Sequence, residues 1–470
     1  MDVDRRKLLI GLGVAGGVGV GAGIGYSVLD EEEPRRPPAE EPDVPRTEQF
    51  GTVVNAVEVG ADPNGEEPVN DILTEYADDD TLLSFPEGTY LLQPITLSDY
   101  TRLGIAAEGR GRPTFVAEDG NCVNGGSSYV HFENVAELLL DGVTFDFTGD
   151  STGGVVRITA TGDATVTNVR APGECADQVA LFRLDVVDEA ATAIVEGLEI
   201  DNQSTDSWLT GVYVGKQHAG DLVFRNCSVK GFTDNGLYAS APGLSDGAGG
   251  IVHVDGGTYR NNNVSNVRLG SAGSVARGVT SISDSPPPSD GEVTANARGF
   301  RLRSGYGQLI DGCEVRITGD TRFTHGGIVF HKTNGGARVQ DTRVEIDRDE
   351  TPGIRLFPRE NDNPETPFFE NIDIRGTAAR AHSVLVENRD ETVFRNCNIK
   401  QSGEDRNGLV FRDSADCRLV NSTVDVTGYP VVLQNATLLI KNTTFITPDG
   451  REEIDEMEAT EGDFAPESER

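Results

Sequence analysis

The stretch LVFRNCSVKGFTDNGLYAS, residues 222–240, holds three short runs of alternating apolar and polar residues. An Arg-Asn step separates the first two runs, and a corner that contains glycine separates the second from the third. The same pattern returns as TVFRNCNIKQSGEDRNGLVFRDS at residues 392–414. A period of two is typical of β-strands, whereas a helix would need a longer amphipathic run. We therefore predict that this stretch forms one coil of three strands.

The step between the first two strands recurs along the chain at intervals of 21 to 34 residues. A repeat of this size is typical of a solenoid, in which each coil buries its apolar side only by stacking on its neighbours. The pattern therefore predicts an all-β parallel β-helix. The second residue of the step is Gly142, Asn168, Gly197, Asn226, Gly256, Gly278, Gly312, Asp341, Asn371, Asn396, Asn421 or Asn442.

Three of the six cysteines share one position in the repeat. Cys227, Cys313 and Cys397 each follow the step directly, and they lie three coils apart. Because stacked strands are about 4.8 Å apart, neighbouring members of this set should be separated by roughly 14 Å. A disulfide cannot span that distance. We expect these cysteines to be buried free thiols.

The composition is strongly acidic, with 77 Asp and Glu against 40 Lys and Arg and a net charge of −37. This charge argues against nucleic-acid binding, which depends on positive charge. The excess of acid and the scarcity of lysine resemble exported proteins of extreme halophiles, haloarchaea in particular, where salt screens the repulsion between carboxylates. The alternative is an ordinary acidic surface protein.

The N-terminus has the features of an export signal. Arg5 and Arg6 precede an apolar, glycine-rich stretch, which resembles a twin-arginine signal and predicts an extracellular or cell-surface location. Small residues recur every fourth position from Gly13 to Gly25, so an uncleaved membrane anchor is the alternative. Contact with a membrane is expected only through this segment.

Composition divides the chain into four parts. Pro and Glu dominate the stretch after the signal, and the C-terminal tail is acidic with few aromatic residues, so both are expected to be disordered. The predicted parts are a signal or anchor (1–29), an acidic linker (30–49), the β-helix with its N-terminal cap (50–448) and a disordered tail (449–470).

The third strand of each coil has the form Gly-apolar-x-apolar, for example GVYV at 211–214 and GFRL at 299–302. Alternation turns the two apolar residues inward and x outward. Stacked coils should therefore place the outward residues in one row, called the ladder below. Its members are Arg157, Arg183, Tyr213, Tyr238, Arg268, Arg301, Val329 and Arg355.

Arginine and tyrosine on one face suit a ligand that carries carboxylates and flat sugar rings. Arg303, two residues after Arg301, should point to the same side. The alternative interpretation is that these arginines only pair with the surplus of Asp and Glu, since surface ion pairs are common and weak.

The start of the predicted β-helix has four recognisable elements. VGADPNG at 59–65 precedes a short amphipathic segment at 69–76, a strand at 81–85 and the turn FPEGTY at 85–90. This entrance resembles that of the pectin-lyase-like superfamily, which includes polygalacturonases and pectate lyases, and the resemblance covers about residues 50–446. It implies a single-stranded right-handed parallel β-helix with an N-terminal capping helix and a substrate groove on the third-strand face.

Only part of the polygalacturonase motif set is present. GFRLRS at 299–304 is similar to the family's GVRIKT, which places Arg301 and Arg303 where the family grips its substrate. Asp234 aligns with one catalytic aspartate, but Thr210 replaces another, and Ser265 stands where the family has its histidine. Inverting hydrolysis needs two carboxyl groups. The usual hydrolase mechanism is therefore not supported by Asp234 alone.

Other candidate residues lie near the same face. A cationic cluster on adjacent coils could abstract a proton in the elimination of a uronate; its members are His325, His331, Lys332, Arg301, Arg303 and Arg322. Calcium would be expected if the protein is a lyase, although no set of calcium ligands stands out and no metal site is predicted. Trp208 could stack on a sugar, or it could simply pack against the protein.

The sequence thus predicts an exported, salt-adapted β-helix that binds an acidic or extracellular polysaccharide and leaves open whether it cleaves that polymer. Asp234, His325, Arg301 and Arg303 are the candidate catalytic residues. The alternative is a rigid surface adhesin or spike-like protein without catalysis. The candidate substrate-binding residues are Tyr213, Tyr238, Arg268, Arg355 and Trp208.

Overall fold

The computed structural model describes residues 49–120, 128–150, 152–173, 180–202, 208–286, 296–321, 323–360, 365–448 and 454–456. The predicted signal, nearly all of the linker and almost all of the tail lie outside these residues, as do Cys122, Cys175 and Arg322. Within them, the chain forms 44 β-strands and one short α-helix. No helix in the described part of the chain is long and apolar enough to cross a membrane.

The strands form three parallel sheets, and the chain visits the sheets in turn, coil after coil. This arrangement confirms the predicted all-β parallel solenoid. The first sheet contains β1 (Thr52–Asn55), β3 (Thr81–Phe85), β6 (Arg102–Ala107), β9 (Glu137–Asp141), β12 (Ala164–Thr167), β15 (Thr192–Glu196), β18 (Asp221–Arg225), β21 (Ile251–Asp255), β24 (Val275–Arg277), β27 (Gln308–Asp311), β30 (Ala337–Gln340), β33 (Phe368–Glu370), β36 (Val393–Arg395), β39 (Cys417–Val420) and β42 (Leu438–Lys441).

The second sheet follows the step in each coil. It contains β2 (Asn64–Pro68), β4 (Gly88–Leu92), β7 (Pro113–Ala117), β10 (Thr144–Asp146), β13 (Arg170–Gly173), β16 (Glu199–Asn202), β19 (Ser228–Lys230), β22 (Thr258–Arg260), β25 (Thr280–Ser283), β28 (Glu314–Ile317), β31 (Arg343–Ile346), β34 (Asp373–Gly376), β37 (Asn398–Gln401), β40 (Thr423–Val426) and β43 (Thr444–Ile446).

The third sheet carries the predicted ladder. It contains β5 (Ile95–Ser98), β8 (Val130–Val135), β11 (Val156–Ala160), β14 (Ala180–Val186), β17 (Thr210–Tyr213), β20 (Leu237–Ala239), β23 (Ser265–Leu269), β26 (Arg298–Leu302), β29 (Ile328–Phe330), β32 (Ile354–Leu356), β35 (His382–Glu387), β38 (Asn407–Arg412), β41 (Val431–Gln434) and β44 (Ile454–Glu456).

The step between the first and second sheets has a left-handed backbone conformation. All twelve predicted step residues have positive φ, between 50° and 71°. Only Gly, Asn and Asp adopt this conformation readily, which explains why these three residue types occupy the position. Side chains also stack between coils there, as where Asn371 donates to Asp341 at 2.8 Å and Asn442 donates to Asn421 at 3.2 Å.

The core is a column of inward side chains from all three sheets. One continuous buried cluster runs from Ala56 in the first coil to Val431 in β41. Cys227, Cys313 and Cys397 belong to it as free thiols, as predicted, and burial raises the pKa of Cys227 and Cys397 to about 12. This continuous apolar column accounts for the stacking of the coils, in which the four described cysteines form no disulfide.

Helix α1 (Asn70–Tyr76) begins one residue after the predicted start. It lies between β2 and β3 in the chain, where later coils have a strand of the third sheet. Its Leu73 is buried in the core, and Ile72 and Tyr76 pack against the same cluster. The helix therefore contributes apolar side chains to the first coil.

The candidate binding face on the third sheet

The ladder has the register that the sequence predicts. Each of its eight members is paired with the next by parallel strand registration, from Arg157 opposite Arg183 to Val329 opposite Arg355. The flanking residues point into the core, as Val267 and Leu269 do on either side of Arg268. Alternation along each strand therefore places the ladder on the outward side.

The outward row has one further member that the sequence pattern did not predict. His131 in β8 is registered opposite Arg157, one coil before the predicted ladder begins. The signal was present, because Val130 and Phe132 flank it as apolar residues and are buried in the core. The strand lacks the leading glycine of the pattern, as the strands of Arg183 and Arg268 also do.

The outward direction of these arginines does not mean that they are fully exposed. Arg268, Arg301 and Arg355 retain only 3%, 6% and 7% of their exposed surface. Alternation fixes the side of a strand on which a residue lies, but neighbouring coils and turns decide what covers it. Arg268 lies against the Tyr238 ring at 3.7 Å, and Arg355 lies against the Phe357 ring at 4.0 Å.

Arg268, Arg301, Arg303 and His331 form a positively charged group that we call the central cluster. Arg268 donates from Nε to the Ser240 hydroxyl at 2.6 Å and from Nη2 to the Tyr238 hydroxyl at 2.8 Å. Burial lowers the pKa of Arg268 to about 9, with Arg301 and Arg303 contributing in the same direction. The cluster therefore concentrates cations in an environment of low polarity.

His331 is held in a neutral form inside this cluster. Burial lowers its pKa to about 2, and the nearby arginines, Arg301 and Arg303 first among them, act in the same direction. The Thr333 amide donates to its Nδ1 at 3.2 Å, which leaves the hydrogen on Nε2. His331 therefore adds a hydrogen-bond donor and no charge.

The ion pairs of the ladder separate its arginines into two groups. Arg183 pairs with Asp185 at 3.0 Å, and Arg355 pairs with Glu387 at 3.3 Å. Within the residues that the structure describes, Arg157 and Arg268 of the ladder and the adjacent Arg303, which is grouped with the ladder arginines below, have no ion pair. The Nε atoms of Arg157 and Arg303 are also buried without a hydrogen-bond partner. Simple pairing with surplus acid therefore does not account for these three residues.

Arginines elsewhere on the coil behave as the alternative interpretation predicts. Arg170 on the second sheet pairs with Glu199 at 2.6 Å, and Arg338 on the first sheet pairs with Glu370 at 2.7 Å. Both arginines are about half exposed. The lack of acid partners is thus a feature of particular ladder positions.

Two aromatic residues lie between the cationic parts of the ladder. The Tyr213 and Tyr238 rings are 5.1 Å apart at an interplanar angle of 57°. Arg183 lies 5.3 Å from the Tyr213 ring on the other side. Trp208, two residues before β17, is 39% exposed, so its ring is accessible to solvent. These rings offer apolar surface between charged groups.

The predicted catalytic residues are not gathered at one point. Asp234 accepts a hydrogen bond from Thr210 at 2.9 Å, and its charge acts on Arg268. His325 lies further along the solenoid, between the rings of Phe323 and Phe357. The structure thus places Asp234 near the central cluster and His325 beside Arg355.

The hydrogen bonding of His325 limits its use as a base. Arg355 Nη1 lies 3.2 Å from His325 Nδ1, and because guanidinium only donates, Nδ1 must accept. Burial and the neighbouring Arg298 and Arg355 lower the pKa of His325 to about 2. In this geometry His325 is a neutral donor through Nε2, and a base role would require Arg355 to move away.

In the described part of the chain, no group of three or more His, Cys, Asp or Glu side chains is arranged to hold a metal ion.

Comparison with known proteins gives similarity at the level of the fold. The A-module of mannuronan C-5 epimerase AlgE6 of Azotobacter vinelandii matches with a TM-score of 0.44 and 13% identity, over 84% of this chain and 100% of that one. The Streptococcus pneumoniae surface protein and adhesin PfbA matches with a TM-score of 0.44 and 11% identity, over 84% and 97%. A family 28 exopolygalacturonase of Yersinia enterocolitica matches with a TM-score of 0.36 and 10% identity, over 85% and 79%.

These neighbours include enzymes and an adhesin, so the likeness does not indicate an activity for this chain. No protein-family model matches the sequence, and no curated protein matches it significantly. The function must therefore be argued from the ladder itself.

Proposed function

We propose that the protein binds an acidic polysaccharide along the ladder, with the central cluster as the principal anion site. The observation that carries the proposal is that Arg157, Arg268 and Arg303 have no ion pair among the described residues, although the chain has 77 acidic residues. Keeping a guanidinium partly buried beside others is unfavourable unless an anion can approach it. A carboxylate on a sugar would meet this requirement through paired hydrogen bonds.

The shape and composition of the face support a polymeric sugar over a small anion. A pair of tyrosine rings lies between two cationic stretches along neighbouring coils, in the order Arg183, Tyr213, Tyr238, Arg268. An extended chain lying along the solenoid would meet a new side chain about every 4.8 Å. Tyr213, Tyr238 and the exposed Trp208 would contact sugar rings, while Arg268 and Arg303 would hold acidic groups.

The cellular setting in this proposal follows from the sequence. The twin-arginine-type N-terminus would export the protein to the cell surface or beyond, and its acidity would suit a salty environment. The coil would be right-handed, as crossover connections between parallel strands almost always are, with α1 covering the N-terminal end of the core.

Whether the bound polymer is cleaved depends on Asp234 and His325. Asp234 would be the proton donor in a hydrolytic reaction, and His325 the base in an elimination. Because His325 Nδ1 already accepts a hydrogen bond from Arg355, we favour Asp234 over His325 as the catalytic group. Asp234→Asn should lower turnover about 100-fold or more if Asp234 is the donor, while binding persists.

The direct test incubates the protein with polygalacturonate, alginate and a neutral glucan. Retention of acidic polymers, with none of the neutral one, is the expected result. New reducing ends alone would indicate hydrolysis, added ultraviolet absorbance would indicate elimination, and retention without products would indicate a binding protein. Equal behaviour of acidic and neutral polymers would contradict the proposal and favour a rigid surface rod.

A further inference from the structure

A second polar group lies at the N-terminal end of the ladder, in β8, β11 and β14. Its outward residues are His131, Arg157 and Arg183 in one row, and Glu133, Thr159 and Asp185 in the next. Arg157 and Arg183 belong to the predicted ladder, but none of these six residues is among the candidate catalytic or substrate-binding residues that the sequence predicts. We call it the N-terminal cluster.

The acid groups of the N-terminal cluster leave Arg157 without a counterion. Asp185 is fully buried, accepts from Arg183 Nε at 3.0 Å and accepts from the Gly215 amide at 2.5 Å. Glu133 lies 4.0 Å from His131 Nδ1 and makes no ion pair with Arg157. Asp185 is thus committed to groups other than Arg157.

Arg157 therefore has an unmet bonding capacity. Its Nε is buried and has no hydrogen-bond partner, and its guanidinium makes no ion pair with any described residue. Burial lowers the pKa of Arg157, and the neighbouring Arg183 acts in the same direction. His131 is also kept toward its neutral form, first by burial and then by Arg157. An incoming oxyanion would meet the unpaired guanidinium of Arg157, a neutral imidazole, and Arg183 in its ion pair with Asp185.

We propose that Arg157, supported by Arg183 and His131, forms a second anion subsite that takes a carboxylate or sulfate group of the same polysaccharide. The inference rests on the proposed function for the identity of the ligand. Five strand spacings separate β11 from β26, so the two subsites lie roughly 24 Å apart along the solenoid. The Tyr213–Tyr238 pair lies between them, where it would support the intervening sugar rings.

Two subsites on one chain predict a dependence on ligand length. A short acidic sugar should occupy the subsites separately, whereas a long one should bridge them and bind more tightly, because its second contact is intramolecular. The change in affinity with ligand length therefore shows whether the two clusters bind the same polymer chain.

The test is calorimetric titration with digalacturonate, a sulfated disaccharide and decagalacturonate, using the full chain at one fixed salt concentration. Wild type should bind two equivalents of at least one of the two short acidic probes, and whichever binds identifies the oxyanion. It should bind one equivalent of decagalacturonate. Arg157→Gln should remove one short-probe site and weaken decagalacturonate about ten-fold or more.

Two controls distinguish this subsite from general charge and folding effects. Arg170→Gln removes the same charge from the neighbouring second sheet, where Arg170 is 52% exposed and paired, and should leave both titrations unchanged. Arg157→Lys keeps the positive charge and loses the planar guanidinium, so its affinity for decagalacturonate should lie between those of wild type and Arg157→Gln. Thermal melts of each variant separate weakened binding from an unfolded chain.

The outcomes also separate this inference from the proposed function. If Arg303→Gln removes one short-probe site and Arg157→Gln removes none, the central cluster stands and the second subsite is wrong. If Arg157→Gln removes a site and Arg303→Gln does not, the second subsite stands and the central assignment is wrong. Two sites remaining in a well-folded Arg157→Gln would overturn the inference.

Discussion

Arg268 illustrates, at the scale of single residues, how the site depends on neutral partners. Its guanidinium donates to the hydroxyl groups of Ser240 and Tyr238 and lies over the Tyr238 ring. These contacts fix the orientation of the side chain without neutralising its charge. The charge is therefore left without a counterion among the described residues, although the side chain is only 3% exposed and two of its guanidinium nitrogens already have partners.

The histidines near the arginines should make stability depend on pH. The pKa of His331 is lowered to about 2 in the folded chain, below the model-peptide value of 6.5. Above about pH 6.5 the residue is neutral in both the folded and the unfolded chain, so it does not lower the free energy of unfolding there. Below that value the unfolded chain binds a proton at this histidine and the folded chain does not. Stability therefore falls as the pH drops toward 2.

His331→Gln should therefore reduce the loss of stability on acidification. Between about pH 6 and pH 4, the free energy of unfolding of the variant should fall by up to about 1.4 kcal/mol less per pH unit than that of wild type. Urea unfolding at several pH values measures this, and the comparison at pH 8 serves as the control because the residue is neutral there. Parallel pH curves for the two proteins would show that His331 is solvated or charged in the folded chain.

At the scale of elements, the step between sheets has one backbone conformation and three permitted residue types. Gly312 has a φ of 60°, and no atom of the described chain lies within 4 Å of where a Cβ would be. A substitution there meets no steric clash, so its effect reports the backbone alone. Neighbouring steps use Gly278 before it and Asp341 after it.

Gly312→Ala should lower the free energy of unfolding by about 1–2 kcal/mol, since alanine tolerates the left-handed region poorly. Gly312→Asn should stay within a few tenths of a kcal/mol of wild type, because asparagine occupies other steps with the same conformation. Urea midpoints of the two variants measure the difference. Equal destabilisation by alanine and asparagine would contradict the backbone explanation.

Local periodicity predicted the elements, the steps and the register of the ladder, since each depends on residues next to one another in sequence. Thr81–Phe85 was predicted as a strand with the bounds that β3 has. The burial of Arg301 and the lack of an ion pair at Arg157 among the described residues were not predictable in this way. Both depend on which side chains of other coils come close, and those coils are more than twenty residues away.

At the scale of the whole molecule, the acidic excess is the dominant feature. The chain has 77 Asp and Glu against 40 Lys and Arg, so mutual repulsion acts across its surface at low salt. The screening length falls from about 10 Å at 0.1 M salt to about 3 Å at 1 M. Salt should therefore stabilise the folded chain more than it weakens the exposed ion pairs.

The melting temperature should accordingly fall as salt is removed, with loosening of the fold below roughly 0.5–1 M. Circular dichroism melts over a sodium chloride series measure this. Sucrose at matched viscosity serves as the control for changes unrelated to charge. A melting temperature that is the same in dilute buffer and in concentrated salt would contradict the salt-adapted interpretation.

The central claim is that unpaired ladder arginines bind an acidic polymer, and affinity electrophoresis of paired variants tests it most directly. The Arg268→Gln and Arg303→Gln double variant is compared with Arg277→Gln and Arg316→Gln, whose exposed arginines pair with Asp311 and Glu345. Both variants lose two positive charges, and both must first melt as folded proteins. We predict that the first loses retention by polygalacturonate, because each charged hydrogen bond contributes about 1.5–3 kcal/mol, while the second keeps it. Equal retention of the two folded variants would contradict the claim.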